Sequence, residues 1–190
     1  MILITGSAGY IGSELCKKFE KLKIDYMGVD NLKYSYKYNI FNIKRFQKCC
    51  FSNETQISNI IKRFNIKCVI HTAAFAYVND AEKNKKKYYL NNISKTKKFI
   101  KLIIRENVKN FIFLSSSNVY SENKIVFLEN GKTNPKNFYG RTKLVIEKFL
   151  IKEKKKFNNL LILRLFNIIG LTKKFKPKNF ENFRYQRILF

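Results

Sequence analysis

A chain of 190 residues, 45% of them hydrophobic, is long enough for one domain that buries about 70% of its unfolded surface, so a real core is within reach. The formal charge of +26 invites a polyanionic partner, yet only seven of the 39 basic residues are arginine and the lysines run along the whole length, so nucleic acid is not the expected ligand. One histidine and four cysteines without C-x-x-C spacing exclude a multi-histidine metal site and a disulfide framework, and no apolar run is long enough to span a membrane.

Met1 to Thr5 carries Ile2, Leu3 and Ile4, an apolar run of the length of a buried parallel strand. Gly6, Gly9 and Gly12 follow as G-x-x-G-x-x-G, and Ser13 to Leu22 then has the mixed pattern of a helix. Such a strand, glycine turn and helix cradle a pyrophosphate: Gly6 for the tight turn, Gly9 for close approach, Gly12 for packing of helix on strand. The helix N-terminus adds N–H groups and a positive dipole. After a strand over Ile24 to Val29 comes Asp30, where an acid is expected to take the adenosine ribose. A carboxylate accepts from a 2′-hydroxyl and repels a 2′-phosphate, which favours NAD over NADP.

Asn31 to Asn42 reads as a loop at the adenosine end and Ile43 to Phe51 as a third strand. Thr55 to Asn65 is a helix with Ile57, Ile60, Ile61 and Phe64 on one face. The strand Lys67 to His71 opens onto Thr72, Ala73, Ala74, Phe75 and Ala76, small residues that let a ligand approach the carboxyl edge of a sheet. His71 reads as a packed strand histidine. One long helix is predicted over Asn84 to Asn107, with its Lys85 to Lys87 run as a solvated face.

Asn110 to Leu114 is a fifth strand, ending in Ser115, Ser116 and Ser117. A polar loop over Asn118 to Asn137 leads to a helix over Phe138 to Lys156 and a sixth strand over Leu160 to Leu165. Alternating strands and helices predict an α/β chain, a Rossmann-type doubly wound parallel sheet with helices on both faces. The expected division is a cofactor domain over residues 1–166 and the start of a truncated substrate region over 167–190, with the substrate domain largely absent. A terminus on Ile188, Leu189 and Phe190 reads as an interrupted chain. With no basic leader before the first strand and no disulfide spacing, a reducing cytoplasm is expected.

Tyr139 and Lys143 stand four residues apart in YGRTK, on one face of the predicted helix. A tyrosine is a poor base at neutral pH, but a neighbouring ammonium and the positive charge of a nicotinamide favour tyrosinate. Ser116, at the end of the adjacent strand, can orient a substrate hydroxyl. Together these residues can take an alcohol proton while hydride leaves the same carbon.

The pieces TGSAGYIG (Thr5 to Gly12), VDNL (Val29 to Leu32), VIHTAA (Val69 to Ala74), YYLNN (Tyr88 to Asn92), SSSNVY (Ser115 to Tyr120), YGRTK (Tyr139 to Lys143) and LRLFN (Leu163 to Asn167) resemble, in order, the extended short-chain dehydrogenase/reductase family. Within it the likeness is to the NAD-dependent nucleotide-sugar epimerases and dehydratases, nearest the UDP-glucose 4-epimerases. The resemblance implies that Tyr10 and Ile11 line the pyrophosphate turn, that Asp30 and Asn31 hold the adenosine ribose, and that Ala73, Ala74 and Ala76 touch the cofactor. It implies that Asn92 sits near the nicotinamide and substrate, that Ser116 and Tyr139 act on the sugar 4-hydroxyl, and that Lys143 binds the nicotinamide ribose. Phe166 would touch the nicotinamide and Asn167 the sugar diphosphate.

The expected activity is therefore epimerisation of a nucleoside diphosphate sugar by transient oxidation at C4, with Tyr139 as base. Alternatives are a 4,6-dehydratase or 4-keto reductase of the same family, or a non-catalytic NAD-binding regulatory protein. Dehydration is disfavoured, because Ser117 and Asn118 stand where dehydratases carry an Asp-Glu pair. Cys50 stands where relatives often have an acid for adenine. A homodimer through the helices Asn84 to Asn107 and Phe138 to Lys156 is the partner that the resemblance implies.

Overall fold

The computed structural model describes residues 1–121 and 127–169. Six strands form one sheet in the order β3-β2-β1-β4-β5-β6: β1 Ile2–Thr5, β2 Tyr26–Asp30, β3 Phe46–Lys48, β4 Cys68–His71, β5 Asn110–Ser116 and β6 Asn159–Leu165. Every pairing is parallel. The helices are α1 Tyr10–Lys21, α2 Glu54–Arg63, α3 Val78–Lys83, α4 Lys85–Tyr88, α5 Thr96–Arg105 and α6 Phe138–Lys152. This is the predicted Rossmann-type sheet, with β1 at its centre.

The core lies on one face of the sheet, where Leu3, Val29, Val69 and Phe111 meet Ile57, Ile60, Phe99, Leu102, Ile103, Ile146 and Leu150 from α2, α5 and α6. A smaller cluster of Ile4, Cys16 and Tyr26 seats α1 on the other face. Three helices stop in the same way, with a left-handed residue after the last turn: Lys23 at φ 55°, Asn65 at φ 47° and Asn107 at φ 58°. The next residue's N–H then reaches back to close the turn, Ile24 to the Phe19 carbonyl, Ile66 to Ile61 and Val108 to Ile103. Each stop launches a strand.

Four predicted elements differ. The third strand shrinks to Phe46–Lys48, because Ile43–Arg45 forms a 3-10 turn capped by the Asn42 side chain. The first helix begins at Tyr10 rather than Ser13, directly from the glycine turn. The single helix predicted over Asn84 to Asn107 is instead α4, a seven-residue π-helical turn over Tyr89–Lys95, and α5. The helix predicted to Lys156 ends at Lys152, with a 3-10 turn over Lys154–Lys156 beyond it. From residue 170 onward the expected substrate region lies outside the described residues. Among the described residues no helix is long and apolar enough to cross a membrane, and no group of three metal-ligating side chains is found.

Candidate functional site

The carboxyl ends of β1, β2 and β4 stand level, since Thr5 pairs with Val29 on one side and His71 on the other. The next residues, Gly6, Asp30 and Thr72, therefore line one edge. Gly6 takes φ 71°, and a side chain there would meet the Ala73 backbone at 2.8 Å. At Gly12 an added Cβ would lie 2.1 Å from the Gly6 carbonyl, so α1 seats only on glycine. Gly9 is different: its missing Cβ would meet only the Gly6 carbonyl, at 3.1 Å. Gly9 also caps α1 without any side-chain hydrogen bond. A helix that begins on a glycine, with no side chain spent on its free N–H groups, is what an incoming phosphate requires, so these residues fit a pyrophosphate.

Asp30 closes the other side of the turn. Its Oδ2 accepts from the Ala8 N–H at 3.2 Å, and its Oδ1 from the Leu32 N–H at 2.8 Å and the Ser35 hydroxyl at 2.9 Å. The exposed Asn31 caps its own turn through Lys33 N–H. Ala73 lies against the turn, Ala74 is half-buried and Ala76 is exposed.

On the far side of β4, the α6 N-terminus brings a second group together. Asn137 caps α6 through the Gly140 N–H at 2.7 Å and donates to the Asn118 side chain at 2.7 Å. A Cβ on Gly140 would lie 2.2 Å from the Asn118 carbonyl, so the helix sits hard against the turn that follows β5. Tyr139 consequently meets Ser116. Burial raises the Tyr139 phenol above its ordinary 10.0, and the hydrogen bond with Ser116 opposes that rise.

Lys143 is 5% exposed. Its Nζ donates to the Leu114 carbonyl at 2.7 Å and stands 5.8 Å from the Tyr139 ring centre and 4.9 Å from that of Phe113. Burial lowers the ammonium to about 8, while the Glu147 carboxylate one turn further along α6 holds it up. Ser116, Tyr139 and Lys143 are thus one cluster at the carboxyl edge. His71 is the packed histidine expected: its ring bonds Thr5 Oγ1 at 2.8 Å among Phe51, Phe99 and Phe113, and burial beside Lys143 lowers it to about 3.

The remaining expected residues are more dispersed. Asn92 is buried on the π turn and spends its amide on the Phe75 backbone, accepting from the N–H at 2.9 Å and donating to the carbonyl at 2.8 Å. Phe166 and Asn167 are exposed beyond β6, and Phe166 packs on Phe127. Ile168 and Ile169 turn back towards α1, where with Tyr10, Ile11, Glu14 and Leu15 they line a hollow of about 300 Å³.

Sequence reasoning missed Glu147 and Arg164. Glu147 is 1% exposed; it accepts from the Ser115 hydroxyl and, through both oxygens, from Arg164. The i, i+4 spacing from Lys143 to Glu147 is the signal that could have found it. Also missed were Tyr34 and Lys87, which gather with Phe75; of the Lys85 to Lys87 run expected as a solvated face, Lys87 is half-buried and lies 2.9 Å from Asp80.

The profile of the NAD dependent epimerase/dehydratase family matches residues 2–188. The UDP-glucose 4-epimerase uge1 of Schizosaccharomyces pombe is 33% identical over 180 residues, covering 87% of this chain and 51% of that protein. The UDP-glucose 4-epimerase of Dictyostelium discoideum is 33% identical over 182 residues, covering 89% of this chain and 52% of its own. Among solved structures, a UDP-glucose 4-epimerase with TM-score 0.84 and 33% identity covers 90% of this chain and 53% of that one. The Brucella ovis UDP-glucose 4-epimerase in complex with NAD has TM-score 0.84 and 28% identity over the same 90% and 53%. The chain spans about half the length of these epimerases, and 27% of the bifunctional protein GAL10 of Pachysolen tannophilus, to which it is 34% identical. With the glycine turn, the acid that ends β2 and the serine-tyrosine-lysine cluster on one sheet edge, the matched profile makes the chain a member of the NAD-dependent epimerase/dehydratase family.

Proposed function

We propose that the chain binds NAD across the carboxyl edge of the sheet and acts as a nucleotide-sugar epimerase of the UDP-glucose 4-epimerase kind. The observation that carries this reading is the union of a glycine turn that opens α1 at Gly9, with no side chain spent on its free N–H groups, and the buried Ser116, Tyr139 and Lys143 cluster two strands away. Gly6, Gly9, Tyr10, Ile11 and Gly12 would hold the pyrophosphate, Asp30 and Asn31 the adenosine ribose. Ala73, Ala74, Ala76 and Phe166 would border the cofactor, and Asn92 would act on it through Phe75.

NAD, when bound, would supply the hydride acceptor for sugar C4 and the donor for its return. The chain's own part is proton handling and orientation. Ser116 orients the 4-hydroxyl, Tyr139 takes its proton and later gives it back, and Lys143 favours the charged phenol. A 4-keto sugar that turns over before hydride returns becomes the epimer, and Asn167 would hold the diphosphate. Elimination of water finds no carboxylate at Ser117 or Asn118; Asn118 instead donates through its backbone and side chain to Ser116.

Chromatography of UDP-glucose incubated with the chain and NAD tests the reading. The expected result is UDP-galactose without net NADH, lost in Tyr139→Phe. A keto product overturns epimerisation in favour of the dehydratase or reductase chemistry. We also infer a cytoplasmic homodimer: all four cysteines are free thiols, and outward Val145 and Ile151 on α6 are 36% and 57% exposed. Sedimentation at two concentrations tests the pairing.

A further inference from the structure

The loops after β2 and β4 meet across the glycine turn. β1 lies between those strands, so a contact between the loops must cross the end of β1. The Tyr34 ring, four residues past Asp30, stands edge-on to the Phe75 ring with centres 4.9 Å apart and planes at 86°.

Each partner is held from behind. Phe75 is pinned through its backbone by the buried Asn92 and packs on the fully buried Tyr88, centres 5.4 Å apart. The Lys87 ammonium lies 4.9 Å from the Phe75 ring centre, 5.5 Å from Tyr34 and 5.9 Å from Tyr88. Asp80, 2.9 Å away, fixes that ammonium. Tyr34 is 49% exposed, so it is the half that can swing. Edge-on rings and a cation over their faces attract each other through the ring quadrupole.

We propose that Tyr34 and Phe75, locked by Lys87, form an aromatic strap over the dinucleotide cleft, under which NAD is retained and which must part for NAD to enter or leave. The proposal rests on the NAD reading above and extends it to residues outside the glycine turn and the serine-tyrosine-lysine cluster. The ligand class is a dinucleotide, because the strap bridges the ribose side at Asp30 to the side leading to Tyr139. A mononucleotide occupying only the Asp30 end would not need the bridge to open.

The test uses the 190-residue chain loaded with etheno-NAD, a fluorescent adenine-modified dinucleotide, and chased with excess NAD in a stopped-flow instrument. Tyr34→Ala and Phe75→Ala are expected to release the probe about tenfold faster, a change of about 1.4 kcal/mol in the barrier, and to bind it faster too. The Tyr34→Ala urea midpoint should stay near that of the wild type, since this half-exposed ring sits on a loop, whereas Phe75→Ala also loses packing on Tyr88 and should lower the midpoint, so the Tyr34 variant is the one that separates release from stability. Tyr34→Phe keeps the ring and should release at the wild-type rate.

If the alanine variants bind the probe but release it within twofold of the wild type, the strap is wrong while the NAD reading stands. Tyr34→Phe releasing as fast as Tyr34→Ala overturns the strap as well, assigning the effect to the hydroxyl. A wild-type chain that binds no probe overturns both proposals.

Discussion

Glu147 and Arg164 form a two-pronged ion pair beneath the serine-tyrosine-lysine cluster, Nη2 to Oε2 at 2.8 Å and Nε to Oε1 at 3.1 Å. It ties α6 to β6, and through Ser115 to β5. Arg164 also donates to the Glu129 carbonyl at 2.9 Å and lies 4.8 Å from the Tyr120 ring centre, so the pair anchors part of the loop that follows β5 as well. Proximity to Glu147 raises the Arg164 guanidinium further above its ordinary range.

Breaking this pair from one side should cost more than removing both halves. Arg164→Leu leaves a carboxylate buried without its cation and is expected to destabilise the chain by about 3 kcal/mol. Adding Glu147→Leu should recover part of that loss, since it removes the unpaired carboxylate but also the partner of Ser115 and the charge that supports Lys143. Urea unfolding of the single and double variants measures the coupling, and simple additivity would contradict it.

The glycine turn predicts a contrast between neighbouring substitutions. Gly12→Ala forces a methyl to 2.1 Å from the Gly6 carbonyl and should lower stability by about 3 kcal/mol, the upper range for overpacking. Gly9→Ala meets only the Gly6 carbonyl, at 3.1 Å, a tight contact that a shift of a few tenths of an ångström relieves; it should cost the fold about 1 kcal/mol as a poorer helix cap and weaken NAD binding at least tenfold. Calorimetric titration together with thermal melts separates the two, and equal stability losses would refute the assignment of Gly9 to the ligand.

His71 supplies a pH signature of the fold. Its folded value of about 3 lies below its ordinary 6.5. The stabilisation is therefore complete above pH 6.5 and is lost as pH falls towards 3, because the unfolded chain takes the proton first. Between pH 7 and pH 5 the wild type should lose about 2 kcal/mol relative to His71→Asn, at about 1.36 kcal/mol per unit. The comparison of urea midpoints at the two pH values cancels the contribution of the carboxylates.

Tyr139 and Lys143 titrate in an order that constrains catalysis. Burial has lowered the Lys143 ammonium to about 8 and raised the phenol above 10.0, so in the free chain the ammonium loses its proton before the phenol does. The groups facing Lys143 are His71 from β4 and Tyr139 and Glu147 from α6, and among them only Glu147 favours the charged amine. A tyrosinate difference spectrum, wild type minus Tyr139→Phe, should show no titration below pH 9 without NAD and a downward shift on adding it. Titration below pH 8 in the free chain would remove the need for cofactor charge.

The sheet was legible because its signals are local. Ile2 to Ile4 before Gly6, the Ile57, Ile60 and Ile61 stripe, and Asp30 at the end of β2 each follow from neighbours in sequence. The serine-tyrosine-lysine cluster was legible too, since Tyr139 and Lys143 share a turn. What escaped depends on long-range partners. Arg164 reads as an interruption of an apolar strand until Glu147 is opposite it, and Phe75 reads as one large residue among small ones until Tyr34 crosses from another loop. The third strand was overdrawn because Ile43 and Phe46 look alike in sequence, while Asn42 caps a turn that ends at Arg45.

The π turn over Tyr89–Lys95 makes the chain wind wider by one residue within a continuous coil. Each residue of an ordinary α-helix advances about 100° around its axis, so deleting one here would leave a smoother cylinder and rotate everything on one side of the excision. Either Asn92 would lose its grip on Phe75, or Phe99, Leu102 and Ile103 would leave the core. The extra residue lets one rod satisfy two neighbours that regular winding cannot serve together, which makes insertions and deletions between Tyr88 and Thr96 far more damaging than substitutions on the solvent side.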